Sequence, residues 1–246
     1  MPNIYISPST QEYNPYITGS GSEEYWMNRI ADAMEPYLRA NTIRFTRNTP
    51  DMTAASSIRQ ANSGSYDFYL ALHSNASTDG SREGTVRGVI AFYYPGSANG
   101  KRAAGIFVRN LKDVYPLPDK VYASATTALG EVRQPYMPSV LLELGYHDNT
   151  ADALWVENNL EAIAANLVLS LTEYFGLPFI TPITPWRGTV RTQSGNLNLR
   201  EYPSQQGRVA AQLPSGAVVT VYGQYGGWYS VGYQGQLGYA AVSYIQ

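Results

Sequence analysis

The chain has 246 residues and no cysteine. Disulfides and thiolate-bound metal are therefore excluded, while the compartment stays open. Histidine is nearly as scarce, with only His73 and His147, so at most two imidazoles are available to any metal site. Charged residues make up 15% and the net charge is −2. That is neither a disordered composition nor the basic footprint of a nucleic-acid binder. No apolar run approaches the roughly 20 residues of a membrane span, so no membrane partner is expected. Met1-Pro2-Asn3-Ile4-Tyr5 has no basic n-region and no apolar h-region, so no signal peptide is visible there.

Other features point to what is present. Apolar residues reach 44%, enough to bury a core, and the length is comfortable for two domains. The 21 tyrosines suit a carbohydrate- or peptide-binding surface, or a core with satisfied hydroxyls. From Trp186 onward Arg187, Arg191, Arg200 and Arg208 face Glu201 alone. This mildly basic segment would favour an anionic surface.

The first three quarters alternate strand and helix signals. Asn3–Ser7, Thr42–Thr46, Asp67–His73, Val86–Tyr94 and Ser139–Leu144 read as strands. Ser20–Leu38 reads as a helix, with Met27, Ile30, Ala31, Met34 and Leu38 at helical spacing. Ser20 and Glu23 are spaced as a capping box, and Pro36 is expected to kink or end the helix early. Ala54–Ser63, Lys101–Val114 and Asp152–Phe175 also read as helices. This alternation predicts an α/β domain with a mostly parallel or mixed sheet flanked by helices. After Gly176-Leu177-Pro178 the texture changes. Thr181-Pro182-Ile183-Thr184-Pro185 reads as a Pro-rich linker, and the remaining short β runs between glycine turns read as a small all-β barrel. The expected divisions are a catalytic domain at 1–178, a linker at 179–187 and the barrel at 188–246.

Three polar residues stand out on apolar or helical elements: Glu24 in the first helical turn, His73 at the end of one buried strand, and Glu143 in another, Ser139-Val140-Leu141-Leu142-Glu143-Leu144. Sites in α/β sheets form at the carboxyl ends of strands. A carboxylate inside so apolar a run costs several kcal/mol unless paired or metal-bound, which makes Glu143 the foremost functional candidate.

Together the motifs resemble the zinc-dependent N-acetylmuramoyl-L-alanine amidases of the autolysin type. The resemblance rests on Gly21 to Asn28, Thr46-Arg47, Ala61-Asn62, His73-Ser74-Asn75-Ala76 and Pro138 to Asn149. It implies a peptidoglycan hydrolase that cleaves the amide between N-acetylmuramic acid and the L-alanine of the stem peptide, acting outside the cell or in the cell wall. It also implies zinc on Glu24 and His73, with Glu143 as general base, and Asn75 is a candidate substrate contact. The chain departs from the family pattern at one point: Thr10 stands where the family's first ligand histidine falls. His147, Gln11 or Glu12 could supply the missing ligand. The alternative is an inactive wall-binding protein.

The C-terminal segment resembles bacterial SH3 domains through Asn196 to Pro203, Gly216 to Val221, Gly227-Trp228-Tyr229-Ser230-Val231 and Gly238-Tyr239-Ala240. That implies a targeting role on wall peptides, with Trp228 and Tyr239 either in the barrel core or at the ligand.

Overall fold

The computed structural model describes residues 1–78 and 82–246. Contacts divide the chain into two compact units. The larger holds Asn3–Met34 and Phe45–Tyr174; the smaller holds Met1–Pro2, Glu35–Arg44 and Phe175–Gln246.

Elements run in the order β1 (Asn3–Pro8), α1 (Glu23–Ala40), β2 (Arg44–Arg47), α2 (Ala54–Ser63), β3 (Phe68–Asn75), β4 (Val89–Tyr93), α3 (Ala98–Leu111), β5 (Val121–Ala125), α4 (Gly130–Arg133), β6 (Ser139–Tyr146), α5 (Thr150–Asn158) and α6 (Leu160–Phe175). The six strands form one sheet in the order β2-β1-β3-β6-β4-β5. β1, β3 and β6 pair in parallel, and β4 runs antiparallel to β6 but parallel to β5. The sheet is mixed, as the alternation predicted.

Strand alternation sorts side chains between the two faces. On β3, Phe68 turns to the face where it meets Phe107 of α3 and Tyr174 of α6. Tyr69 and Ala71 turn to the other face. They cluster there with Tyr5 of β1, Ile58 and Ala61 of α2, Val132 of α4 and Leu141 of β6. The same two-residue step carries His73 and Glu143 onto the α2–α4 face. Both sit toward the carboxyl ends of parallel strands, where a cavity forms.

Several local expectations change. The Ser20 hydroxyl meets Trp26 and Glu157 instead of capping α1. Ser22 is the residue whose hydroxyl accepts a helix-start N–H, that of Tyr25, because the helix begins at Glu23. Pro36 does not end α1, which continues to Ala40: one missing N–H leaves the bonds of the next turn intact, including Asn41 N–H to the Tyr37 carbonyl. The long helix expected over 152–175 is two helices parted at Asn158-Asn159, where each asparagine amide donates to a carbonyl of the preceding turn. β5 and α4 had no counterpart in the sequence pattern.

In the smaller unit, β7 (Trp186–Thr189), β8 (Leu197–Arg200), β9 (Val209–Leu213), β10 (Val218–Tyr225), β11 (Trp228–Tyr233) and β12 (Gln236–Ala241) form an antiparallel sheet in the order β7-β10-β11-β12-β8-β9. Leu199, Leu213, Val221 and Val231 are fully buried in its core. Residues 177–185 carry neither helix nor strand. Among the described residues no helix is long and apolar enough to cross a membrane.

Candidate functional site

A cavity of about 480 Å³ opens beside the carboxyl ends of β1, β3 and β6 in the larger unit. Ser9, Thr10 and Gln11 form one wall, Leu129 to Glu131 another, and His73 and Glu143 lie between them.

His73 is held at both ring nitrogens. Nδ1 lies 2.8 Å from Oε1 of Glu23, and Nε2 lies 2.9 Å from Oε2 of Glu131. Burial alone would lower the His73 pKa, but these two carboxylates outweigh it and raise it well above the ordinary imidazole range. The carboxylates respond in kind. Burial would raise both, yet the bonds to His73 hold each below the usual range, helped at Glu23 by Asn14 and at Glu131 by Ser7 and Tyr69. Gln11 completes one side of the ring, with its amide nitrogen 3.4 Å from Glu23 Oε1 and 3.5 Å from His73 Nδ1.

Glu143 is the register partner of His73 on the adjacent strand. Its Oε2 is buried and has no hydrogen-bond partner among the described residues. Burial pushes its carboxyl up to about 7; His73 opposes this rise, and Glu23 and Glu131 add to it. Such a group exchanges a proton near neutral pH, as a general base or acid must. Gly145, two residues on, adopts a left-handed φ of 82°, and an added Cβ would lie 3.2 Å from Asp152. The glycine after this glutamate is thus required by the backbone.

Not every candidate reaches the cavity. Glu24 is directed along its own helix toward the next turn, accepting from Asn28 at 3.0 Å. The helix carboxylate that meets His73 is Glu23, one residue earlier. A one-residue step turns a helical side chain by about 100°, so only one of the adjacent pair can face β3. His147 is buried, with Nδ1 2.9 Å from the Ser74 carbonyl and its ring stacked on Tyr16. With Asp148, which accepts from the N–H groups of Ser77 and Thr78, and Asn149, which caps α5, it fixes the loops around the site. Glu12 is exposed. Asn75 accepts from the N–H of Ala76 and does not line the cavity. Thr10 lines the cavity, while Gln11 reaches the ring. Glu131 was absent from the sequence candidates. It sits on a four-residue helix, too short for any periodicity to mark it as buried.

In the smaller unit Tyr239 is fully buried, clustered with Ile180 and Ala40. It therefore packs in the core and offers no face to a ligand. Trp228 lies beside the same cluster but also lines a polar groove of about 590 Å³ with Arg191, Arg200 and Tyr244.

Among the described residues no group of three or more His, Cys, Asp or Glu side chains is arranged to hold a metal ion. Glu23 and the Nδ1 edge of His73 are ordinary zinc ligands, and the third group beside them is the neutral amide of Gln11, whose nitrogen faces them while its oxygen accepts from Tyr13 and Asn14, bonds it would give up to turn that oxygen inward. The other ring nitrogen is held by a carboxylate, as metal-ligating histidines usually are. The chemistry of this set is compatible with a metal ion, but it holds one weak donor and two strong ones where zinc enzymes of this kind usually have three strong ones.

Residues 4–173 match the family model for N-acetylmuramoyl-L-alanine amidase, and residues 195–246 match that for a bacterial SH3 domain. Among solved structures, an N-acetylmuramoyl-L-alanine amidase of Clostridium difficile superposes with a TM-score of 0.62 at 17% identity, covering 71% of this chain and 96% of that one. The catalytic domain of such an amidase from Bacillus (Paenibacillus) polymyxa gives 0.61 at 18%, covering 72% and 99%. One from Nostoc punctiforme gives 0.61 at 15%, covering 71% and 97%. No curated protein sequence matches the chain.

Proposed function

Since the chain belongs to the N-acetylmuramoyl-L-alanine amidase family, a family of hydrolases, we propose that it hydrolyses the amide between N-acetylmuramic acid and the L-alanine of peptidoglycan stem peptides. The observation that carries this reading is Glu143, with a buried, unpartnered oxygen and a carboxyl near 7, beside His73 in an open cavity.

Glu143 takes a proton from the attacking water as the water oxygen adds to the scissile carbonyl carbon. It then gives that proton to the amide nitrogen as the C–N bond breaks, leaving a muramyl carboxylate and a free L-alanine amine. Gln11, Glu23 and His73 would hold zinc, which when bound supplies Lewis-acid polarisation of the carbonyl. Thr10, which lines the same cavity, is proposed to contact the substrate.

The bacterial SH3 segment is proposed to keep the enzyme on the wall, which places the protein outside the cell or in the cell wall. Among the described residues its groove is lined by two arginines, amides and aromatic rings, and no carboxylate, a lining suited to anionic peptide. The competing reading is a wall-binding protein without catalysis. It is favoured by the threonine at position 10 and the weak third donor.

A synthetic muramyl peptide separates the two. Release of a free L-alanine amine by the wild-type protein, abolished by Glu143→Gln, supports the enzyme. Binding without release supports the alternative.

A further inference from the structure

Glu131 lies outside every motif that pointed to the site, yet both of its carboxylate oxygens are engaged there. It is 5% exposed. Its Oε1 accepts from the Ser7 hydroxyl and from the Tyr69 hydroxyl, each at 2.7 Å. Its Oε2 faces Nε2 of His73 at 2.9 Å. Ser7 and Tyr69 project from β1 and β3, so the carboxylate is fixed by the sheet itself. Val132, the next residue, is packed in the core cluster, which anchors α4 and keeps Glu131 in place.

We propose that Glu131 is a positioning residue that holds the His73 ring by Nε2–H and so commits Nδ1 to the side where Glu23 and Gln11 stand. An ionised carboxylate only accepts, so the nitrogen facing Glu131 must carry a hydrogen. The nitrogen facing Glu23 carries one by the same rule, so the metal-free ring is held from both sides, and a metal taking Nδ1 would displace that hydrogen while Glu131 kept Nε2–H. The bond also selects one of two ring orientations, since half a turn of the imidazole would place carbon where each nitrogen now sits. A carboxylate on the far nitrogen also raises the basicity of the near one, and losing such a partner typically costs 10–100-fold in metal affinity.

Two of the three bonds to Glu131 do not involve His73, which allows a structural role to be separated from a positioning one. Glu131→Gln keeps the volume but replaces one acceptor oxygen by a donor and removes the charge. Tyr69→Phe removes a different bond to the same carboxylate and leaves His73 untouched. Two readouts on the full chain are compared: the low-field NMR resonance of the His73 Nε2–H in metal-free protein, and zinc affinity measured by competition with a chromogenic chelator.

The resonance is expected in the wild type and in Tyr69→Phe, and is expected to be lost or moved upfield in Glu131→Gln. Zinc affinity is expected to fall about 10–100-fold in Glu131→Gln and by less than about threefold in Tyr69→Phe. A Glu131→Gln protein with both readouts unchanged, or a Tyr69→Phe protein as impaired as Glu131→Gln, overturns the proposal. The zinc readout rests on the metal reading given above, and the resonance does not. A wild type that takes up no zinc, with a resonance that responds only to Glu131→Gln, sinks the metal reading and leaves the positioning role standing.

Discussion

His73 and Glu143 are direct partners in the parallel register of β3 and β6, with their side chains on the same face of the sheet. Glu143 thus ionises beside a ring that carries positive charge when protonated, and beside Glu23 and Glu131, which are negative. Burial dominates the balance and leaves the carboxyl near 7.

Replacing Glu143 by Gln keeps the shape of the site and removes the proton acceptor. The expected loss in kcat is about 10²–10⁴-fold, the usual worth of general acid–base catalysis. Binding to purified walls should be unchanged. Steady-state kinetics on a muramyl peptide and a wall co-sedimentation assay check the two halves separately.

The same carboxyl gives a pH signature. Activity that needs ionised Glu143 should rise with pH through about 7. Stability should move the other way. The folded state keeps a proton on this group over a pH range where the unfolded chain, with the ordinary carboxyl value of 4.5, has released it. Stability is therefore lost as pH rises between those values, by about 3 kcal/mol at 1.36 kcal/mol per unit. Urea unfolding at pH 4.5 and pH 8 should show this decline in the wild type, and Glu143→Gln should remove that part of it.

Gln11 marks the weak point of the metal set. Gln11→His supplies an imidazole where a neutral amide now stands, and zinc affinity should rise by about tenfold or more. Calorimetric titration of both proteins with zinc checks this; equal affinities would remove Gln11 from the ligand set.

Arg191 lines the groove of the smaller unit and is exposed. Arg191→Ala should weaken retention on walls several-fold, with greater loss at low salt, where an exposed charge counts most. Turnover of a small soluble substrate should not change. Equal retention of variant and wild type across a salt series would assign wall binding elsewhere.

The sequence made some of this legible and hid the rest for physical reasons. Buried strands announce themselves, so Asp67–His73 and Ser139–Leu144 overlap β3 and β6, and Glu143 stood out as a carboxylate in an apolar run. Adjacent helical residues are harder. Glu23 and Glu24 are chemically identical, and only the facing of α1 decides that Glu23 meets His73 while Glu24 bonds to Asn28. His147 was attractive as one of two imidazoles, but a buried ring bonded to the Ser74 carbonyl serves its loop. Glu131 gave no signal, since its role depends on β1 and β3 arriving beside a helix of a single turn.

The most direct measurement is mass spectrometry of purified peptidoglycan digested by the intact protein loaded with zinc. The expected products are soluble stem peptides with free L-alanine amino termini, and glycan strands that keep unsubstituted muramic acid carboxylates. Both should be missing with Glu143→Gln. Walls left intact by the wild type, or cleaved at glycosidic or peptide cross-link bonds instead, would contradict it.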